Sequence, residues 1–523
     1  MKILLLWPNK EQWGSKPNSI SLLSAVLKKG GHEIRLVDTT FVDFGNLDNT
    51  AVGSRARIFK PVDLKGFDLQ KKPRALDDLM QESVGDWSPD LIGVSALTDE
   101  IEIGLQLTRL CKRRFPHVPV VWGNKGATLE PEKVMERGEV DYGCRGEGDE
   151  FFPEFAACVE AGGNPENLSN LVWRSEGRTR LNPLRPPRQV LDELPYFDYS
   201  PYDKRQFLKP FDGRLYRGGD HMISWGCPNS CTYCTNESLR KMYGGAAGRL
   251  LRSYGVERIV AELEYLARKW DLEFFKFHDE DFCLKPLHYL QKLAETYRAR
   301  VGLPFTIMAN ARSVTPEKAK LLQQMGCRSV SLGIEAGNDR IRREVLQRRE
   351  SRQDIVRAVR NLNDLGIRTS AFNMLGLPFE TRETIRETIG LNREAQVQYP
   401  AVNFFFPYPG TRLYETAVQH GFYDPNQAAV YRSDEPALKF PELTREELIL
   451  YRERFVLFVK MPEEYWSFIE RSIRTDAVGR RLANELYRIY DEAVFQHGGK
   501  WPAERDTAQD FRILRTIEKE VER

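Results

Sequence analysis

Short apolar runs alternate with stretches of helical spacing through the first 160 residues. Lys2 to Trp7 is a short apolar run, Ile20 to Leu27 has helical periodicity, and Glu33 to Asp38 reads as a second strand. Leu91 to Ala96 and Val118 to Trp122 read as two more strands, and a very short fifth is expected around Val140 to Tyr142. Strands that alternate with helices pair in parallel through right-handed crossovers, so this segment predicts a doubly wound sheet. Ligands of such sheets sit at the carboxyl ends of the strands. Those ends here carry three loops rich in Gly, Ser and Thr: GVSALTDE, VVWGNKGATLEPE and DYGCRGEGDE. One such loop is only a tight turn; three on one edge point to a binding face.

From about Gly162 to Phe211 the periodicity fades and Pro, Asn and Arg accumulate, which predicts an irregular or hairpin-bearing linker. A second strand-helix series follows, with strands at His221–Gly226, Leu272–Asp279, Phe305–Ala311, Ser329–Ala336, Arg368–Gly376 and Val402–Tyr408. Thr315 is placed to cap one of the intervening helices and Gly326 to stop it. Six repeats are too few for a closed eight-stranded barrel and suit a partial (β/α)6 barrel with an open side. After about Pro436 the pattern turns helical: Thr444 and Glu447 form a capping box, and Leu448, Tyr451, Phe455 and Phe458 share a face that reads as core packing. The expected division is therefore 1–160 for the sheet, 161–215 for the linker, 216–435 for the barrel and 436–523 for a helical cap beside the barrel opening.

Composition narrows the class. The 77 Lys and Arg and 75 Asp and Glu leave a net charge of +2, against a dedicated nucleic-acid or polyanion binder. The opening MKILLLWPNK lacks a small-residue cleavage site and reads as a buried strand rather than a secretory signal. No run of eighteen apolar residues occurs, so no membrane span is expected. Eight cysteines in 523 residues are too sparse for a disulfide scaffold and fit a reducing cytoplasm.

Three of those cysteines, Cys227, Cys231 and Cys234, stand close together in SWGCPNSCTYCTN, a C-x3-C-x2-C spacing. Zinc sites usually take four ligands, often in two pairs, and no His or second Cys pair lies near in sequence. Three thiolates suit a 4Fe-4S cubane, in which one iron stays free for a substrate or cofactor. Cys111, Cys144, Cys158, Cys283 and Cys327 are scattered, and packing as small hydrophobes accounts for them. The Arg-rich RIRREVLQRRE is interrupted by acids and reads as a solvated helix face.

The triad with Tyr233 at the aromatic position resembles the signature of the radical S-adenosylmethionine (radical SAM) superfamily. FKFHDEDF after the second barrel strand, SLGIEAGND after the fourth, FNMLGLPFET after the fifth and FFFPYPGTRLYE after the sixth are similar to the same family. Together with the three loops of the first domain they resemble the subfamily that joins such a barrel to an N-terminal, Rossmann-like cobalamin-binding domain. The likeness runs from about Met1 to Gly421.

The resemblance implies a 4Fe-4S cluster on the three cysteines, whose open iron chelates S-adenosylmethionine, and a 5'-deoxyadenosyl radical formed on reduction. Asp279, Glu280 and Asp281 offer acceptors for the methionine ammonium, and alternation puts Asp279 and Asp281 on one face. Arg312 would pair with a carboxylate and Glu335 would accept from ribose hydroxyls. Ser95, Thr98, Gly123, Thr128, Gly146 and Glu147 would line the nucleotide tail and corrin edge of cobalamin. No H-x-x-G occurs, and His32 and His117 stand in no such context, so the lower axial ligand is unassigned. The implied partners are an organic substrate and a reductant such as flavodoxin or ferredoxin.

The expected activity is methylation of an unactivated carbon, one S-adenosylmethionine remethylating cobalamin and a second generating the radical. A cyclase or oxidative enzyme of the anaerobic protoporphyrin-ester cyclase type shares the architecture without methyl transfer. Methylthiotransferases are disfavoured because they bring further cluster cysteines in their N-terminal domain, and no Cys precedes Cys111 here. A cobalamin sensor with a degenerate barrel is disfavoured by the intact triad.

Overall fold

The computed structural model describes residues 1–11, 15–45, 57, 62, 64, 66–244, 251–426, 434–495, 500–502 and 504–519. The N-terminal strands are β1 (Lys2–Trp7), β2 (Glu33–Asp38), β3 (Leu91–Ser95), β4 (Val120–Gly123) and β5 (Tyr142–Cys144), followed by β6 (Leu171–Ser175) and β7 (Arg178–Leu181). They form one sheet in the order β2-β1-β3-β4-β5-β6-β7. The first five are parallel, and β6 and β7 add antiparallel. Along β1, Leu4 and Leu6 pack with Trp122 and Val94 on one face, and Ile3 and Leu5 with Phe151 and Phe155 on the other. A strand covered on both faces is what an unbroken apolar run encodes.

The segment expected as a linker is structured throughout. Its first part makes the β6–β7 hairpin, which turns on Glu176 and Gly177, both at positive φ (50° and 75°), as a two-residue turn between right-twisted strands requires. Its second part threads Leu191, Leu194, Phe197, Tyr199, Tyr202 and Phe207 into the core shared by sheet and barrel. Periodicity missed it because an irregular strap buries residues one at a time.

The second sheet contains β8 (Leu208–Phe211), β9 (Arg214–His221), β12 (Phe274–Phe277), β13 (Phe305–Ala309), β14 (Cys327–Glu335), β15 (Arg368–Leu375) and β16 (Tyr399–Phe404). Its order is β16-β15-β14-β13-β12-β9-β8, six parallel strands with β8 antiparallel on the outer edge. The first barrel strand thus ends at His221, where the sequence pattern placed its start. It lies earlier because it pairs with β8 across a turn at Asp212 and Gly213 (φ 48° and 80°). Residues 224–225 form instead a two-residue ladder, β10 (Ser224–Trp225), with β11 (Arg252–Ser253).

Helix signals behave as expected. The Thr315 hydroxyl accepts the Lys318 N–H, and Gly326 ends that helix at φ 89°. The Thr444–Glu447 capping box opens the helix Arg445–Lys460. That helix and those after it bury Tyr451, Phe455 and Phe458 against Val402 and Phe404 of β16, at the open side of the barrel. Among the described residues no helix is long and apolar enough to cross a membrane.

Candidate active site at the sheet–barrel junction

Cys227, Cys231 and Cys234 lie on the loop between β10 and the helix Thr235–Tyr243, all free and partly exposed. Cys234 occupies the N-cap of that helix without spending its side chain on the cap, so the thiol is available. Burial pushes the Cys227 thiol up to about 11 and the Cys234 thiol up to about 12, and raises that of Cys231. The N–H groups of Asn229 and Asn236 favour the Cys227 and Cys234 thiolates, and Cys231 is within electrostatic reach of both. Three desolvated thiols with backbone donors already turned toward two of them are a donor set that a positively charged iron cluster would ionise. Among the described residues no three His, Cys, Asp or Glu side chains are already drawn into metal-ligating geometry, so the fit rests on the donor set.

The acidic turn follows β12. Asp279 and Asp281 are both buried. Asp279 accepts from the Ile223 N–H (2.9 Å), the Ser224 hydroxyl (2.5 Å) and the Lys285 ammonium (2.6 Å), which ties the turn to the strand leading into the cysteine loop. Asp281 caps the turn at Phe282–Leu284, its Oδ1 accepting from the Cys283 N–H and the Ser313 hydroxyl, while Oδ2 is buried without a partner. Burial raises its carboxyl to about 6. Glu280 is exposed between them, and its charge is felt by Cys227 and Cys234.

Arg348 organises the opposite side and was not foreseen. Its guanidinium donates to the Tyr233 hydroxyl (2.8 Å), the Gly333 carbonyl (2.7 Å) and Glu350 (2.5 Å), and lies 3.7 Å from Glu335. Glu335 ends β14 at φ 64°, beside a register irregularity with β15. A left-handed conformation in a non-glycine residue costs free energy and persists where the surroundings over-determine it. Burial raises its carboxyl, and Arg348 opposes the rise. The Arg-rich run is therefore only partly solvated: Arg342 is fully buried and donates to the carbonyls of Ala336, Gly337 and Glu350, and Arg348 is buried as above. Burial among carbonyls and carboxylates, rather than helical register, decides which arginines turn inward. Arg312 is exposed; its N–H donates to Asn310 Oδ1 (2.9 Å), and its guanidinium makes no ion pair or hydrogen bond with another described residue.

At the carboxyl ends of β3, β4 and β5 a cavity of about 310 Å³ opens along the sheet. Ser95, Gly123, Gly146 and Glu147 line it; Thr98 and Thr128 do not. Thr128 is buried and braces the loops, donating to the Asn124 carbonyl and accepting the Gly146 N–H. Lining residues that sequence reasoning missed include Asn18, Ser19 and Trp225. The Asn18 Oδ1 and Trp225 Nε1 atoms are buried without partners, orphaned polar atoms of the kind a ligand satisfies. No histidine lines the cavity among the described residues. Met222, Trp225 and Gly226 close its far wall, so the cavity reaches the residue before Cys227.

The RGEGDE loop docks on the barrel. Glu147 forms a two-pronged ion pair with Arg252 (2.7 and 3.0 Å), and its N–H donates to the Tyr243 hydroxyl (3.1 Å). Gly146 is at φ 95°, and a Cβ there would come 2.4 Å from that hydroxyl.

A partial barrel with three thiols above it, joined to a doubly wound sheet whose strand-end cavity reaches Gly226 beside the first of them, defines a two-site enzyme with a thiol cluster next to a sheet-edge ligand cavity. Residues 223–391 match the Radical SAM superfamily and residues 15–156 the B12 binding domain. The chain thus carries a radical SAM domain and a B12-binding domain; its cofactors are S-adenosylmethionine, a 4Fe-4S cluster and cobalamin. An uncharacterized methyltransferase of Pyrococcus horikoshii is 25% identical over 493 residues, 91% of this chain and 97% of the relative. The anaerobic magnesium-protoporphyrin IX monomethyl ester cyclase of Rubrivivax gelatinosus is 22% identical over 79% of this chain and 70% of its own. The fold is that of TsrM, a radical S-adenosylmethionine methyltransferase from Kitasatospora setae solved with cobalamin and a [4Fe-4S] cluster, at a TM-score of 0.62, 19% identity and 99% coverage of both chains.

Proposed function

We propose that this protein is a cobalamin-dependent radical SAM methyltransferase acting on an unactivated carbon of an organic substrate. The observation that carries the reading is the cavity running from the ends of β3–β5 to Gly226, beside Cys227. It would set the methyl-carrying and radical-generating groups side by side. When bound, those groups supply a transferable methyl and a 5'-deoxyadenosyl radical.

The chain's own residues divide the remaining work. Cys227, Cys231 and Cys234 would hold the cluster, and the Arg348–Tyr233 bond would fix the loop that presents them. Of the acidic turn, Glu280 is favoured for the methionine ammonium, because Asp279 already accepts from Ile223, Ser224 and Lys285 and both it and Asp281 are buried. The exposed Arg312 guanidinium, which pairs with no described residue, would take a carboxylate, and Glu335 ribose hydroxyls. Ser95, Gly123 and Gly146 would contact cobalamin directly; Glu147 would shape its pocket through Arg252, and Thr128 would brace it. Electrons would come from a donor such as flavodoxin or ferredoxin.

The test is anaerobic purification with a visible spectrum and corrin assay, followed by methyl-labelled S-adenosylmethionine. Label carried into product is expected. A protein that binds no corrin and makes 5'-deoxyadenosine without a labelled product would overturn the reading and favour the cyclase-type chemistry of the Rubrivivax relative.

A further inference from the structure

One buried carboxylate beside the first barrel strands serves several cations. Asp220 of β9 is fully buried, with the ammonium groups of Lys16 and Lys209 at 3.0 and 3.2 Å from one oxygen and His278 Nε2 at 2.9 Å from the other. Lys276 sits next to Asp220 in the β9–β12 register and within electrostatic reach of both Asp220 and Lys209. Asp220 is already saturated, and Lys276 has neither an ion pair nor a hydrogen bond among the described residues. Lys16, Lys209 and His278 thus take up Asp220, and Lys276 stands beside it without a counter-ion of its own among the described residues.

Lys276 lies on an interior strand whose neighbouring side chains, Phe275 and Phe277, pack into the core on the helix side. It is nevertheless exposed, as is Phe372 of β15, another interior strand. Interior-strand residues turned away from the helices reach solvent only when the concave side is open. Enclosure by the surrounding walls lowers the Lys276 ammonium, the direction set by desolvation. Around it the register places hydroxyls: Thr306 at its own level, and Ser331 and Ser370, paired with each other, one level nearer the cysteine loop. None of the three hydroxyls has a hydrogen bond among the described residues. A lysine ammonium held in such a concavity beside free hydroxyls is a ready partner for an anion that enters it.

We infer that the barrel lumen holds an anion subsite, built on Lys276 with Thr306 beside it, that takes a carboxylate or phosphate of the organic substrate. Phe372 provides an apolar surface for the rest of that molecule. The inference rests on reading the barrel as the substrate chamber and adds that the substrate is an anion. S-adenosylmethionine also carries a carboxylate, so the test separates the two sources.

Inorganic phosphate and malonate are titrated calorimetrically into the full-length reconstituted protein at constant ionic strength, with chloride as control. Saturable binding is expected, retained by Lys276→Arg and weakened at least tenfold by Lys276→Met. Equal affinity in Lys276→Met, or no saturable binding in the wild type, overturns the proposal. Retention of labelled S-adenosylmethionine in equilibrium dialysis is expected to be the same for Lys276→Met and wild type; a tenfold fall there with unchanged phosphate binding assigns the lysine to the cofactor and overturns it. Should Lys276→Met not fold, acylation of Lys276 in the wild type, mapped by mass spectrometry, is expected to slow with phosphate, and an unchanged rate overturns the proposal. None of these readouts requires methyl transfer or corrin, so they stand apart from the test of the methyltransferase reading.

Discussion

Replacing Gly146 by alanine probes how the B12-binding sheet is fastened beside the cysteine loop. At φ 95° an L-residue pays roughly 1–2 kcal/mol in backbone conformation alone. The added methyl would also lie 2.4 Å from the Tyr243 hydroxyl oxygen and 3.3 Å from its ring carbon, so the loop or the helix Thr235–Tyr243 must shift. Overpacking of this kind costs about 1–3 kcal/mol, for a total of about 2–5 kcal/mol. Tyr243→Phe removes the oxygen in the way and also the acceptor of the Glu147 N–H, a loss of about 1 kcal/mol by itself. The two changes should therefore be less than additive, by about 1–3 kcal/mol, because the clash is absent in the double variant. Denaturant midpoints of the four proteins give the coupling, and the corrin retained after desalting reads the site. Gly146→Ala should retain less corrin, and Gly146→Ala with Tyr243→Phe more than Gly146→Ala alone. Strict additivity with unchanged corrin retention would mean that the loop does not rest on Tyr243, and the account of the junction would fail.

Asp220→Asn should destabilise the protein by about 3–5 kcal/mol at neutral pH, since it takes the counter-charge from the fully buried Lys16 ammonium; thermal unfolding checks it, and a change below 1 kcal/mol contradicts the burial of that pair. The Asp220 carboxyl is held well below its ordinary value by the lysines and His278, so its contribution is present above about pH 4 and lost as pH falls further, a dependence that Asp220→Asn should abolish. Asp281 behaves oppositely: with its carboxyl raised to about 6, the cluster-free protein should lose about 3 kcal/mol as pH rises from about 4 to 6, and Asp281→Asn should flatten that slope in urea titrations. Cys227→Ala should eliminate the cluster's visible absorption in reconstituted protein while corrin binding persists; a variant with the full cluster spectrum would remove Cys227 from the ligand set.

The legible parts of this sequence are those whose information is local. The apolar run of β1, the cap at Thr315 and the stop at Gly326 each depend on a few neighbouring residues, and the structure has them as read. The triad was visible because metal-ligand spacing is itself local. Arg348 was not, because its partners Tyr233 and Gly333 lie 115 and 15 residues away and nothing in RIRREVLQRRE distinguishes it from the exposed Arg349. Alternation grouped Asp279 with Asp281 but could not show that both would be buried, since it sorts sides and does not say which side is open. Thr128 and Glu147 were legible as members of the right loops, while their bonds to Gly146 and Arg252 depend on how two domains meet.

That meeting is fixed at two levels by polar contacts rather than by apolar burial alone. Near the strand ends, Glu147 and Gly146 of the sheet lock onto Arg252 and Tyr243 of the barrel. Deeper, Lys16, from the loop between β1 and the first helix, inserts its ammonium against Asp220 and the carbonyls of Gly218 and Gln206. An apolar interface of this size could slide by a side chain's width at small cost, since packing energy is non-directional. A buried charge with several fixed partners cannot, because any displacement leaves it unpaired at a cost of several kcal/mol. The reading of the site requires a methyl carrier and a radical source at a constant separation. An expensive buried ion pair at one level and a glycine admitting no side chain at the other are the means this sequence provides to hold it.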